Sequence, residues 1–84
     1  MTEPQPDEIT LNGSARTLAR GETVAELVAE ITGRRISADG QAADGTRLGV
    51  AVARNAGVVP RSRWAATVLT PGDEVEIVTA VQGG

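Results

Sequence analysis

The 84-residue sequence contains no cysteine, histidine, tyrosine or phenylalanine, and all eight of its basic residues are arginine, so lysine is missing as well. Without cysteine there is no disulfide, no thiol redox chemistry and no Cys/His zinc site. The absence of histidine removes a Ser-His-Asp triad and an imidazole base, and the absence of lysine removes a Schiff base and a P-loop. Trp64 is the lone aromatic, which leaves no row of rings for stacking bases, and a net charge of −3 opposes phosphate binding through clustered cations. The arginines are also scattered, with only Arg34-Arg35 adjacent. No nucleic-acid partner is therefore expected. No stretch approaches the roughly 18 apolar residues of a membrane span, and residues 1–7 carry neither a basic segment nor an apolar run of signal-peptide type. The expected address is the cytoplasm, with no membrane partner.

What is present suffices for one small domain. Leu, Ile, Val and Phe make up 19 of 84 residues, or 23%, above the roughly 20% below which charged chains stay disordered. A domain of this size buries only about 60% of its unfolded surface and has little room for an enclosed pocket, so surfaces and chain ends are where function is sought. No nucleophile–base pair is visible, and the chain is read as a non-enzyme that binds no cofactor or metal.

Residues 1–7, with two prolines and two acids, read as a flexible tail. Glu8-Ile9-Thr10-Leu11 alternates polar and apolar, Asn12-Gly13 is a strong hairpin signal, and residues 15–19 supply the return strand. Asn12-Gly13-Ser14 also has the form of a glycosylation sequon, but without an export signal it is read as a tight turn. Thr23 followed by Glu26 is a capping box, opening a helix expected over 24–31. Val24, Leu27, Val28 and Ile31 form its apolar stripe, Glu22, Glu26 and Glu30 repeat along a face read as solvated, and Gly33 suits a left-handed C-cap. Residues 34–47 hold two Ala-Asp-Gly triplets and read as a long, mobile, turn-rich loop; the spacing of its Asp residues matches no EF-hand. Residues 48–55 form a strand, Asn55-Ala56-Gly57 a turn, and Val58-Val59 an edge ladder ended by Pro60. Ser62 is placed as the cap of a helical turn over 63–66, with Trp64 either beside the core or a partner hot spot. Thr70-Pro71-Gly72-Asp73 is a turn, and residues 74–81 form the most strand-like segment.

One sheet crossed by one helix is the economical α+β arrangement for this order. In the last strand Val75 and Ile77 face the helix, leaving Val78 and Ala80 on the open face; these two and Val81 are the candidate contacts for a partner. Gln82-Gly83-Gly84 follows. Since glycine is 10 of 84 residues, two given positions are both glycine by chance only about 1.4% of the time. A bare Gly-Gly carboxylate on an unbranched stem fits a channel too narrow for side chains. A carboxylate becomes reactive only once another protein activates it as a mixed anhydride with a nucleotide.

These residues resemble a known family. Val58-Val59-Pro60-Arg61-Ser62-Arg63-Trp64-Ala65, Thr67-Val68-Leu69 and the run from Gly72-Asp73-Glu74-Val75 to Ala80-Val81-Gln82-Gly83-Gly84 are similar to the C-terminal half of the bacterial thiamine-pathway sulfur carriers, the ThiS family. Leu11-Asn12-Gly13 and the helix start at Glu22-Thr23-Val24 are similar too. The resemblance implies a ubiquitin-like β-grasp over 8–81, with the first and last strands paired in parallel at the sheet centre. It further implies that Gly84 is the covalently modified residue, with Gln82 and Gly83 threading the tail. An E1-like enzyme using ATP and Mg²⁺ would adenylate Gly84, a persulfide donor would convert it to a thiocarboxylate, and thiazole synthase would accept the sulfur. The carrier itself would be a monomer. Sister carriers for molybdopterin or cysteine synthesis share the fold, although the former typically has a proline-bearing segment where this chain has Thr79-Ala80-Val81-Gln82. A ubiquitin-like protein modifier is the alternative from another class, and without lysine this chain would mainly be a donor.

Overall fold

The computed structural model describes residues 7–45 and 48–79. Five strands, β1 (Glu8–Leu11), β2 (Ser14–Thr17), β3 (Val50–Arg54), β4 (Gly57–Val58) and β5 (Glu74–Thr79), form one mixed sheet in the order β2-β1-β5-β3-β4. Among the described residues a single α-helix, α1 (Val24–Thr32), and a 3-10 helix (Arg61–Ala66) complete the fold. β1 and β5 pair in parallel at the centre, with Leu11 opposite Val75, while β2, β3 and β4 pair antiparallel to their neighbours. The expected order and the central parallel pair are both present.

The hairpin forms as its sequence dictates. Asn12 and Gly13 both have positive φ, 50° and 85°, the conformation that a two-residue turn between right-twisted strands requires. Thr23 caps α1 by accepting from the Glu26 N–H, Glu26 returns the bond to the Thr23 N–H, and Gly33 closes the helix in the left-handed region. The Val24 N–H, which a helix leaves without an internal partner, donates to the Thr67 carbonyl at 2.9 Å, tying the helix start to the chain that leaves the 3-10 helix.

The core lies between α1 and one sheet face. Val24, Leu27 and Val28 meet Ile9, Val50, Val52, Val75 and Ile77, with Trp64 and Leu69 closing the side. Trp64 is buried and its indole N–H donates to the Val59 carbonyl at 3.0 Å, so of its two readings the core one holds.

Four expectations need correction. Ile31, placed in the buried stripe, is 43% exposed, because the helix is in its last turn there. Glu22 is buried instead of solvated. It precedes the cap, so it is not on the helix at all, and its carboxylate folds back to the Ala19 N–H and both terminal nitrogens of Arg16. Glu30 also pairs with Arg16. Ser62 does not cap the short helix, which opens at Pro60 without a side-chain cap. Asp7, assigned to the tail, already belongs to the hairpin, since its carbonyl accepts from the Leu18 N–H at 2.6 Å.

The segment after α1 is held through specific contacts. Ile36 bridges to Ala42, which is buried, and Ser37, Asp39 and Gln41 form a closed set of turn bonds. The Arg61 guanidinium then donates to the carbonyls of Gly40, Leu48 and Val50 at 3.1, 2.7 and 2.9 Å, and lies 4.7 Å from the Trp64 ring centroid.

Candidate docking face and tail stem

β5 carries the chain toward its C-terminus, and its position is fixed from both sides. Its first turn is set by Asp73, a buried carboxylate that accepts from the Arg54 guanidinium at 2.7 Å, the Thr70 N–H at 2.8 Å and the Asn55 amide at 3.0 Å. Burial alone would raise this carboxyl, but the Thr70 N–H, Arg54 and Asn55 outweigh it and hold it below the ordinary carboxylate value. Asn55 also accepts from the Glu74 N–H at 2.9 Å. On the opposite side the Asn12 side chain accepts from the Ile77 N–H at 2.9 Å and donates to the Ile77 carbonyl at 3.3 Å. Each asparagine thus adds a side-chain rung to the central strand.

The face of β5 away from the helix carries Glu74, Glu76 and Val78, as strand alternation requires, and Val78 is 64% exposed. Register places Ala51 opposite Val78 and Ala53 opposite both Glu76 and Val58, the last of which is 80% exposed. Val78, Ala51, Ala53 and Val58 therefore form one apolar strip across three strands, with Glu74 and Glu76 beside it. Only Val78 of this strip was expected from the sequence. The alternation of residues 48–55 put Ala51 and Ala53 on one face, but which face, and opposite what, depends on a register that a single strand does not encode.

Trp64, whose other reading was a partner hot spot, and its neighbour Arg61 are engaged within the domain by the contacts given above, while Arg63 remains exposed at the surface. Ala80, Val81, Gln82, Gly83 and Gly84 lie outside the described residues. Among the described residues no group of three or more His, Cys, Asp or Glu side chains is arranged to hold a metal ion. Two surface hollows, of about 210 and 240 Å³, both fall short of the roughly 300–1,000 Å³ of small-molecule sites. No helix among the described residues is long and apolar enough to cross a membrane.

A sheet with parallel first and last strands at its centre, crossed by one helix and built around a last strand that leads to the chain terminus, is a ubiquitin-like β-grasp domain. The sequence profile of the ThiS family matches residues 9–84. The chain is 30% identical over 77 residues to the sulfur carrier protein ThiS of Escherichia coli strain K12, covering 92% of this chain and 98% of that one. Its structure is similar to the crystal structure of the thiamine biosynthesis protein ThiS from Geobacter metallireducens, with a TM-score of 0.63, 28% identity, and 92% and 99% of the two chains covered. The chain belongs to the ThiS family.

Proposed function

We propose that this protein is a sulfur carrier of thiamine biosynthesis and acts as a substrate, with no catalytic residues of its own. In this reading an E1-like enzyme uses ATP and Mg²⁺ to join the Gly84 carboxylate to AMP, releasing pyrophosphate. A persulfide donor then displaces AMP to form an acyl disulfide, a thiol reductant cleaves its S–S bond to leave a thiocarboxylate, and thiazole synthase takes the sulfur for the thiazole ring. Neither nucleotide nor metal is held by this chain, and the setting is the cytoplasm. The observation that carries the reading is the family match, which runs through Gly84 itself. The physical argument agrees: a stem ending in Gly83-Gly84 has no Cβ to obstruct a narrow channel.

The docking face follows from the same reading. An enzyme that grips the tail also meets its root, and the Val78, Ala51, Ala53 and Val58 strip is the apolar surface nearest to it. Val78→Asp should weaken binding to the activating enzyme more than tenfold, about 1.4 kcal/mol, while leaving the circular dichroism spectrum intact. Unaltered affinity in the folded variant would move recognition to another surface.

The deciding experiment is intact mass after incubation with the activating enzyme, ATP and a sulfide source. Replacement of oxygen by sulfur adds about 16 Da and supports the carrier; adducts of protein size would instead indicate a protein modifier. A chain lacking Gly84 should be unreactive with its thermal midpoint nearly unchanged, and normal adenylation of that chain would sink the proposal.

A further inference from the structure

The two edges of β5 are not equally occupied. Asp73, Val75 and Ile77 turn their main-chain groups toward β1: the Asp73 and Val75 carbonyls accept from the N–H groups of Thr10 and Asn12, both at 2.9 Å, and Ile77 exchanges two bonds with the Asn12 side chain. Glu74 points the other way, its carbonyl accepting from the Asn55 N–H at 2.7 Å. Main-chain direction repeats every second residue of a strand, so Thr79 points where Ile77 does, toward the β1 side. Thr79 lies opposite Val50 on β3, and this is a pair without mutual hydrogen bonds; the Val50 carbonyl points outward and accepts from Arg61 at 2.9 Å. β1, meanwhile, has already turned away at Asn12-Gly13. Thr79 therefore directs an N–H and a C=O into a lane with no strand, and neither has a partner among the described residues.

We infer that this lane receives an extended segment of the activating enzyme, which pairs its main chain with Thr79 at the end of β5 as an added strand. The inference rests on the carrier reading above. Five residues follow Thr79 and the last is Gly84, so an enzyme that reaches that carboxylate handles the chain from where β5 parts from β1. Three of those five residues, Ala80, Gly83 and Gly84, are small or bare, and main-chain pairing needs no side chain. Asn12 sets the inner limit of the lane. Its amide completes the ladder at Ile77, so an incoming strand begins at Thr79 without displacing any bond of the domain. The outer side of β3 is treated differently, since Arg61 occupies the carbonyls of Leu48 and Val50 beyond the reach of β4.

The test replaces Thr79 with proline, which deletes the N–H directed into the lane and costs no bond to β3. Thr79→Val keeps the N–H and serves as the control. With the wild-type chain, Thr79→Val should bind and be adenylated within about twofold of normal, whereas Thr79→Pro should bind the activating enzyme at least tenfold more weakly. Amide hydrogen exchange on the unmutated chain supplies a readout independent of folding in the variant. The Thr79 amide should exchange freely in the isolated protein and be slowed at least a hundredfold in the complex. Failure of the wild-type chain to be adenylated would overturn the carrier reading itself. Normal adenylation with an unprotected Thr79 amide in the complex, or with full affinity in Thr79→Pro, would overturn only the added strand. A Thr79 amide already protected in the isolated protein, together with a dimer in sedimentation, would assign the lane to a second copy and overturn it likewise.

Discussion

Arg61→Ala should be among the most damaging substitutions of a partly exposed residue in this domain. The guanidinium binds three carbonyls, those of Gly40, Leu48 and Val50, and covers the Trp64 ring, so its loss acts on the segment after α1, on β3 and on the core together. A hydrogen bond to a charged group contributes about 1.5–3 kcal/mol, and a cation over an aromatic face about 0.5–2. These contributions are not additive, and water reaching the vacated carbonyls returns part of the loss. A net cost of about 2–4 kcal/mol is expected. Against a total of about 4–13 kcal/mol for a chain of this length, that is a large share of the stability. Its thermal midpoint should fall by roughly 8–32 °C, at about 4–8 °C per kcal/mol for a domain of this size. Urea unfolding followed by tryptophan fluorescence is the natural assay, because Trp64 is the only tryptophan and lies beneath the deleted group. Arg61→Lys should recover less than half of the loss, since one ammonium cannot span three carbonyls as the planar fork does. A change below about 0.5 kcal/mol in Arg61→Ala would refute the assignment of Arg61 as the clamp between these segments.

Three further outcomes follow from the same packing. Leu27→Ala should cost about 2–5 kcal/mol, whereas Ile31→Ala, one turn further along and 43% exposed, should cost under about 1.5 in the same urea titration; equal losses would contradict the placement of the buried face. Asp73 has a folded pKa below its unfolded one, so the unfolded chain binds more protons as acid is added; its stabilisation is present above about pH 4 and is lost as pH falls through the lower folded value. Asp73→Asn should therefore be less stable than wild type at pH 7 and show a flatter acid limb in midpoints measured from pH 6 to 2; parallel curves would contradict the assignment. Ala56 sits at φ 69° in the β3–β4 turn, a conformation costing a residue with a Cβ about 1–2 kcal/mol, so Ala56→Gly should stabilise by about 0.5–1 after the added unfolded-chain entropy is set against the relief. A destabilised Ala56→Gly in thermal melts would contradict that turn geometry.

Legibility in the sequence tracked the distance over which each signal acts. The capping box at Thr23 and Glu26, the left-handed Gly33 and the Asn12-Gly13 turn are all settled within a few residues, and all appear as read. Glu22 misled because a four-residue charge period was carried back past the helix start, where the backbone no longer follows that period. The 34–47 segment read as a mobile loop because the anchor of its described part, Arg61, lies 21 residues beyond Gly40 and looks like an ordinary surface arginine. Val78 was legible from alternation within one strand, while its apolar neighbours Ala51 and Val58 needed the register of three. The family resemblance joined these pieces into one fold, which local signals could not do.

The two asparagine turns show how one residue type serves two ends. Asn12 and Asn55 occupy the first positions of two-residue turns at φ 50° and 51°, one on each side of β5. Asparagine tolerates that region better than most residues, which accounts for the backbone. Its side-chain amide also offers a donor and an acceptor in the geometry of a peptide group, so each turn can supply one more rung to the strand it faces. Aspartate would lack the donor, and glycine would keep the turn but lose the rung. Together the two rungs brace β5 at Glu74 on the β3 side and at Ile77 on the β1 side. Past Ile77 no further group among the described residues reaches β5 on the β1 side, and Thr79 is the position at which a strand held on both edges becomes, among those residues, a strand held on one.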